Sequence, residues 1–437
     1  MTPALIRAWL AEATAALAGA REEINALNVY PVPDSDTGTN SYFTVRDAAV
    51  AVDEAEPNLD SSQLLQVVAE GALLGARGNS GIIISTLFGV FARNNLSDDD
   101  ALADRFARAA AAATEAVTDL QEGMAPRIAQ EFATAFALAT SGAAEQPAEV
   151  GELLAHAVLQ VRGELPALAL SHPTLRAAGV IDSGSCTMLL VLTALTLQFL
   201  DPVSHGPLRE KLTNTAWIAQ HTATVAAARL EADPLGVAGG GTADLAEPLC
   251  EPTATAGPEY EVLALLRSAD PDFGAALRPK LGAVGNSVSI VANAELWQVH
   301  VHGANPQQLL ACFPAAALRQ IRIHRLDTSG LITTCSVVVV TGDWARAQQY
   351  ADAGAHVLLA PEGRKIKHRH LLRALRDAAA GDVVVLVENG TAHSTRVAKL
   401  VGGQVSAGPN ISFWQDDAEP LLELLDRLAQ QSAPAQE

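Results

Sequence analysis

Apolar positions recur at helical spacing through the first half of the chain, and strand-like alternation is scarce there. Ala and Leu dominate segments such as 101–117 and 152–165, so residues 1 to about 205 are expected to form an all-helical domain. The stretch 183–200 carries no charge between Asp182 and Asp201. Its Thr and Ser content and Gln198 favour a helix buried in that domain over a membrane span. The pattern then breaks. Residues 206–258 include a run rich in Gly, Pro, Ala and Thr and are expected to be a linker region. Beyond it short strands and helices alternate: strand 260–266, helix 273–281, strands 287–292 and 296–302, helix 306–316, strand 320–325. That βαββαβ order predicts an α+β ferredoxin-like middle domain over 259–328. Strand 336–341, helix 344–353, strand 356–360, helix 370–380, strand 382–388 and helix 419–430 predict a small C-terminal α/β domain over 329–437.

Composition narrows the class. Hydrophobic residues make up 49% of the 437 and charged residues 18%, enough for several buried cores. The net charge of −20 repels nucleic acid and anionic lipid, so neither is expected as the main partner. A nucleotide stays open, because a divalent cation can reverse the local sign. Four cysteines lie far apart without CxxC spacing, which fits a reducing, cytoplasmic setting. Arg7 and Glu12 interrupt the apolar run that a signal peptide would need.

Three polar loops each open a helix. In NVYPVPDSDTGTN (28–40), Pro31 and Pro33 hold the approach extended, and Asp34 and Asp36 sit two residues apart, on one side of an extended segment. Two readings stand: an Asp-capped helix, or carboxylates that hold Mg²⁺ beside backbone N–H groups that take a phosphate. GARGNSG (75–81) places three glycines around Asn79 and Ser80 at another helix start. AAGVIDSGSCTM puts Asp182 just before the charge-free helix. Neither GxGxxG nor a Walker GxxxxGK[ST] sequence occurs.

These loops, in this order, resemble the nucleotide-binding L-subunit family of dihydroxyacetone kinases, and more closely its fatty acid kinase catalytic (A) subunit branch. The resemblance implies a helical barrel with ATP at one end and two Mg²⁺ ions bridging its phosphates. Carried over by position, Asp34 and Asp36 match metal ligands at the catalytic centre. Asn28 lies where the dihydroxyacetone branch has a third Asp, one residue different in spacing. Thr37, Gly38, Thr39, Asn40, Asn79, Ser80, Gly81 and Asp182 match the nucleotide lining. The chain also departs from the pattern. Ser35 replaces a usual Gly, Glu122–Gln130 reads EGMAPRIAQ where an EGT-type start is usual, and the C-terminal region is expected to be short, with ill-matching loops.

The implied activity is ATP-dependent phosphorylation of a fatty acid carboxylate presented by a fatty-acid-binding partner protein, with a homodimer as an allowed assembly. A dihydroxyacetone-type small-molecule kinase and a non-catalytic nucleotide-binding regulator are the alternatives. In the middle domain His300 and His302 point to one face of a strand, and Glu261 lies in the strand expected beside it. One carboxylate and two imidazoles make an accepted Zn²⁺ set. The family has a Cys where Glu261 stands, and a polar sheet face without metal is the competing reading. The basic run Lys365, Lys367, His368, Arg369 and His370 is expected to be solvated, and Cys186 and Cys335 to be buried, inert thiols.

Overall fold

The computed structural model describes residues 1–30, 35–93, 102–116, 125–142, 149–232, 259–326, 335–359, 366, 370–371, 374–375, 382–388 and 410–432. They fall into two units, one within residues 1–252 and one within 253–437.

The first unit is helical: α1 (Pro3–Ala26), α2 (Thr37–Asp53), α3 (Ser61–Gly75), α4 (Gly78–Arg93), α5 (Leu102–Ala116), α6 (Ala125–Gly142), α7 (Val150–Ser171), α8 (Pro173–Ala178), α9 (Ser183–Leu197), α10 (Gly206–Thr213) and α11 (Trp217–Ala232). Local chemistry sets the starts. Thr2 caps α1 by accepting from Leu5 N, with Pro3 at the first helical position. At α3, Asp60 and Gln63 form a reciprocal capping box. Helix α9 is buried on all sides and anchored where Trp9 Nε1 donates to the Val191 carbonyl at 3.0 Å. It is 15 residues long, short of the roughly 20 that span a bilayer. By length and composition α7 alone among the described helices could span one, but its Leu154, Val158, Val161 and Leu165 belong to the core.

The expected linker 206–258 is corrected at its start. Residues 206–213 and 217–232 are helices whose Leu212, Trp217, Ile218 and Val225 enter the helical core. Their apolar anchors are sparse, which is why the segment lacks a helical signature. Buried Arg162 holds them: its guanidinium donates to the Lys211 and Leu212 carbonyls at the end of α10 and lies 4.8 Å from the Trp217 ring. Burial lowers the Arg162 pKa to about 10, so it stays charged and complements the α10 C-terminus. Residues 233–258, including Gly239–Gly241, lie outside the described residues.

The second unit holds one eight-stranded sheet, not two separate domains. Its elements are β1 (Tyr260–Arg267), α12 (Phe273–Gly282), β2 (Asn286–Asn293), β3 (Leu296–Gly303), α13 (Pro306–Ala311), β4 (Leu318–Arg325), β5 (Ser336–Thr341), α14 (Trp344–Asp352), β6 (His356–Leu359), β7 (Asp382–Glu388), β8 (Asn410–Asp416) and α15 (Ala418–Ser432). The order is β2-β3-β1-β4-β6-β5-β7-β8. The first four strands follow the expected βαββαβ sequence and pair antiparallel; β6, β5, β7 and β8 pair parallel. β4 and β6 join the halves antiparallel. The expected boundary at 328/329 therefore cuts a continuous sheet and a shared apolar cluster. β8 was not expected, and helix 306–316 ends early, at Ala311. His370 and Leu371 are helical, and His370 is buried rather than solvated; Lys365 and 367–369 lie outside the described residues.

The two faces of the sheet differ. One face packs Tyr260, Val262, Ala264, Val299, Val301, Ile321 and Ile323 into an apolar core. On the other face Gln298, His300, His302, Glu261, Gln320 and Arg322 are buried across β3, β1 and β4, and apolar packing resumes with Val338, Leu358 and Val385. The parallel strands are thus apolar on both sides, as a covered parallel layer requires.

Trp217→Ala should destabilise the helical unit by ~3–5 kcal/mol, the usual cost of truncating a buried Trp. Urea unfolding checks this; unchanged stability would return 206–232 to linker status.

Candidate functional site

The N-termini of α2, α4 and α9 meet. Ser183 Oγ, at the start of α9, lies 3.3 Å from Thr37 Oγ1, at the start of α2. A Cβ on Gly78 would stand 2.7 Å from Asn40 Nδ2, and one on Gly81 would strike Thr44 Oγ1. Gly78 also has φ +54°, which glycine adopts at no steric cost. Thr44 Oγ1 ties the helices further by donating to the Asn40 carbonyl at 2.7 Å, and it lies 3.3 Å from the Gly75 carbonyl oxygen. Free N–H groups and three positive helix ends make this an anion-binding arrangement.

The two acid loops behave differently. Asp36 occupies the N-cap of α2 but makes no side-chain cap bond. The Thr39 N–H that it would ordinarily take is bonded instead to Asn25 Oδ1 from α1, at 3.0 Å, while Asn25 Nδ2 donates to Thr39 Oγ1 at 2.9 Å. The Asp36 carboxylate accepts from Asn40 Nδ2 at 2.7 Å and faces the meeting point of the helices. For Asp36 the capping reading is therefore overturned. For Asp182 it holds: its Oδ2 accepts from both Ser185 N and Ser185 Oγ at 2.6 Å. Burial raises the Asp182 carboxyl to about 6, against the opposing pull of the Ser185 hydrogen bonds.

Ser35 has φ +56°, a left-handed conformation that costs a non-glycine residue roughly 1–2 kcal/mol. The loop keeps the geometry that the replaced glycine would favour. Asn28, just beyond α1, is buried; Asp34 and the 122–124 segment lie outside the described residues. Gly38 admits α1 closely, since a Cβ there would run into the Arg21 carbonyl. Asn79 and Ser80 sit in the first turn of α4.

Sequence reasoning missed two supports. One is Asn25. The other is Arg77, buried in the GARGNSG loop, which donates to the Gly75 carbonyl at 2.9 Å, pairs with Asp47 at 3.3 Å and lies 4.8 Å from the Phe43 ring. A charged residue inside an otherwise small, apolar loop was the available signal. Cys186 is buried, and burial pushes its thiol well up; Cys335 is only partly buried.

In the second unit Glu261, His300 and His302 come together as expected. Glu261 Oε1 is 2.8 Å from His300 Nε2, and His300 Nε2 is 3.0 Å from His302 Nε2. Burial alone would raise the Glu261 carboxyl, but His324, His300 and His302 together hold it well below the carboxylate range. Burial, with the His300 charge, pushes His302 down to about 3, so it is neutral and keeps a lone pair. A metal ion fits this set. One ring nitrogen cannot direct a single proton well at both a carboxylate and a second imidazole, whereas an ion would accept all three lone pairs. His302 Nδ1 is buried without a hydrogen-bond partner. His324 Nδ1, 3.1 Å from Glu261 Oε2, was not anticipated; the register of β1 with β4 brings it there.

Two family models match the chain: the DAK2 domain over residues 31–197 and the FakA-like middle domain of fatty acid kinases over 257–330. The chain is 26% identical to the protein YloV of Bacillus subtilis over 293 residues, 66% of this chain and 48% of that protein. It is 33% identical to uncharacterized proteins of Staphylococcus haemolyticus and Staphylococcus aureus over 174 residues, 38% of this chain and 30% of each of those. The match thus spans about half or less of the length of these relatives.

Two outcomes test the helix-end geometry. Asn25→Ala should cost ~1 kcal/mol of stability, the worth of a lost cap, and should weaken Mg-ATP binding as Asp36 is drawn onto the Thr39 N–H. Denaturant unfolding paired with nucleotide titration checks both parts. For Asp182, the folded carboxyl titrates at about 6 against 3.8 for the unfolded group, so between these values the folded state binds the extra proton. Stability should then fall as pH rises through that window, by on the order of 2–3 kcal/mol, and stay lowered above it. Asp182→Asn should flatten the fall; an unaltered pH slope in unfolding experiments would contradict the assignment.

Proposed function

We propose that this chain, whose DAK2 domain and FakA-like middle domain support a kinase of the dihydroxyacetone-kinase-like family, transfers the γ-phosphoryl group of ATP to a fatty acid carboxylate, giving an acyl phosphate. The observation that carries the nucleotide half is the meeting of three helix N-termini beside a carboxylate released from capping. The fatty acid half rests on the middle-domain match. A fatty-acid-binding partner protein, in the cytoplasm, would present the acyl chain.

Asp36, with Asp34 and Asn28 from the same loop, would hold Mg²⁺, which supplies charge neutralisation at the phosphates when bound. The residues at the starts of α2 and α4, Thr37 to Asn40 and Asn79 to Gly81, would receive the phosphates through backbone N–H groups. Asp182 would act from the start of α9 by holding that helix end in place. The acceptor carboxylate is already a nucleophile, so the chain needs no strong base, and positioning accounts for most of its contribution. Glu261, His300 and His302 would hold a Zn²⁺-type ion that fastens β1 to β3, a structural role remote in sequence from the nucleotide loops.

The test is ADP release from Mg-ATP with fatty acid loaded on an acyl-binding protein, with dihydroxyacetone as the competing acceptor. Turnover should require the loaded partner. Asp36→Asn should lose at least 10²-fold of it, the scale expected when a charge at the transferring phosphate is removed, while keeping its fold. Turnover with dihydroxyacetone alone would replace the acceptor. ATP binding that is independent of Mg²⁺ and unaltered in Asp36→Asn would remove the site.

A further inference from the structure

The carboxylate–imidazole centre has an outer half. Strand β1 runs between β3 and β4, and Glu261 lies directly opposite His302 on one side and His324 on the other. Opposed residues on antiparallel neighbours share a face with Cβ atoms ~4.5–5.5 Å apart, so the carboxylate stands between two imidazoles. Its two oxygens divide the work. Oε1 faces His300 Nε2 at 2.8 Å, and Oε2 meets His324 Nδ1 at 3.1 Å. A glutamate carboxylate turns easily about its last bond, so whatever grips the outer oxygen decides where the inner one points. His324 is itself backed from β6 by His356, the ring centroids 5.4 Å apart. Burial depth separates the two halves: the Glu261 and His300 side chains are 8% and 2% exposed, that of His324 30%.

We propose that His324 is a positioning residue of a metal centre formed by Glu261, His300 and His302. It donates Nδ1–H to the outer oxygen of Glu261, fixes the inner oxygen toward the two Nε2 atoms, and ties the ion to β4, the strand that joins the two halves of the sheet. Ligating carboxylates and imidazoles are ordinarily fixed by such outer hydrogen bonds, whose loss costs ~10–100-fold in metal affinity. The donor role also sets the His324 tautomer: the proton sits on Nδ1 and the lone pair on Nε2. The proposal rests on the metal reading given under the function above.

The experiment uses the full chain, stripped of metal, titrated with Zn²⁺ against a chromophoric chelator and with Co²⁺ for its electronic spectrum. His324→Ala should weaken Zn²⁺ binding at least tenfold and alter the Co²⁺ spectrum. His324→Asn, whose side-chain N–H falls near the imidazole Nδ1, should recover most of the affinity. His302→Ala should lose binding altogether. If His324→Ala does not fold, imidazole ¹⁵N spectra of the unmodified chain decide: His324 should be Nδ1-protonated and its signals should move with Zn²⁺ in step with those of His300 and His302. Affinity and Co²⁺ spectrum unchanged in His324→Ala, or a His324 signal indifferent to Zn²⁺, would overturn the role of His324 and leave the three-ligand centre standing. A full chain that takes up neither ion would overturn the centre itself.

Discussion

The paired hydrogen bonds between Asn25 and Thr39 are the constraint on which the helical site depends. A helix N-terminus needs an acceptor for its third N–H, and an aspartate at the cap position normally supplies it. Here α1 supplies it from outside. Asp36 keeps its position without the duty that position usually imposes, and its charge is left to face the adjoining helix starts. The arrangement requires α1 and α2 to lie unusually close, which is what the absence of a side chain at Gly38 allows. Arg77 does comparable work on the neighbouring loop, where its guanidinium ties the end of α3 to Asp47 on α2. The chemistry of the loops is thus borrowed from residues that face away from them.

The second unit answers a different problem. A sheet that is antiparallel at one end and parallel at the other needs both faces covered only at the parallel end. The chain complies: β5, β6 and β7 are apolar on both sides, while β3, β1 and β4 keep a polar face. Buried polar groups are costly unless matched, and the Glu261–histidine group is where that face concentrates opposite charge and lone pairs.

Much of this was legible in the residues. Strong periodicity located the long helices, and strands rich in Val, such as Ser336–Thr341 and Asp382–Glu388, were placed to the residue. The βαββαβ order implied that Glu261 would neighbour His302, and the register agrees. What escaped notice had no local signature. Helices α10 and α11 are held by a few anchors and by Arg162, a partner on α7 some fifty residues earlier. Asn25 looks like any polar residue near a helix end until α2 is laid against it. His324 acquires its place from strand pairing alone, and the union of the two sheet halves follows from β6, which pairs across a gap that the element order does not reveal. Spacing along the chain reports neighbours within an element; it is nearly silent on contacts made by a third.

That union bears on how the chain can be divided. β4 is completed not by the next strand but by β6, formed some thirty residues later, with β5 added outside it. Until then Ile321, Arg322 and Ile323 offer an unpaired row of backbone donors and acceptors, an edge that invites pairing with any extended segment at hand. A nascent chain passes through that state, and a fragment cut at the apparent domain boundary would remain in it. Self-association of such a fragment would therefore report an orphaned strand edge, not the assembly of the intact protein.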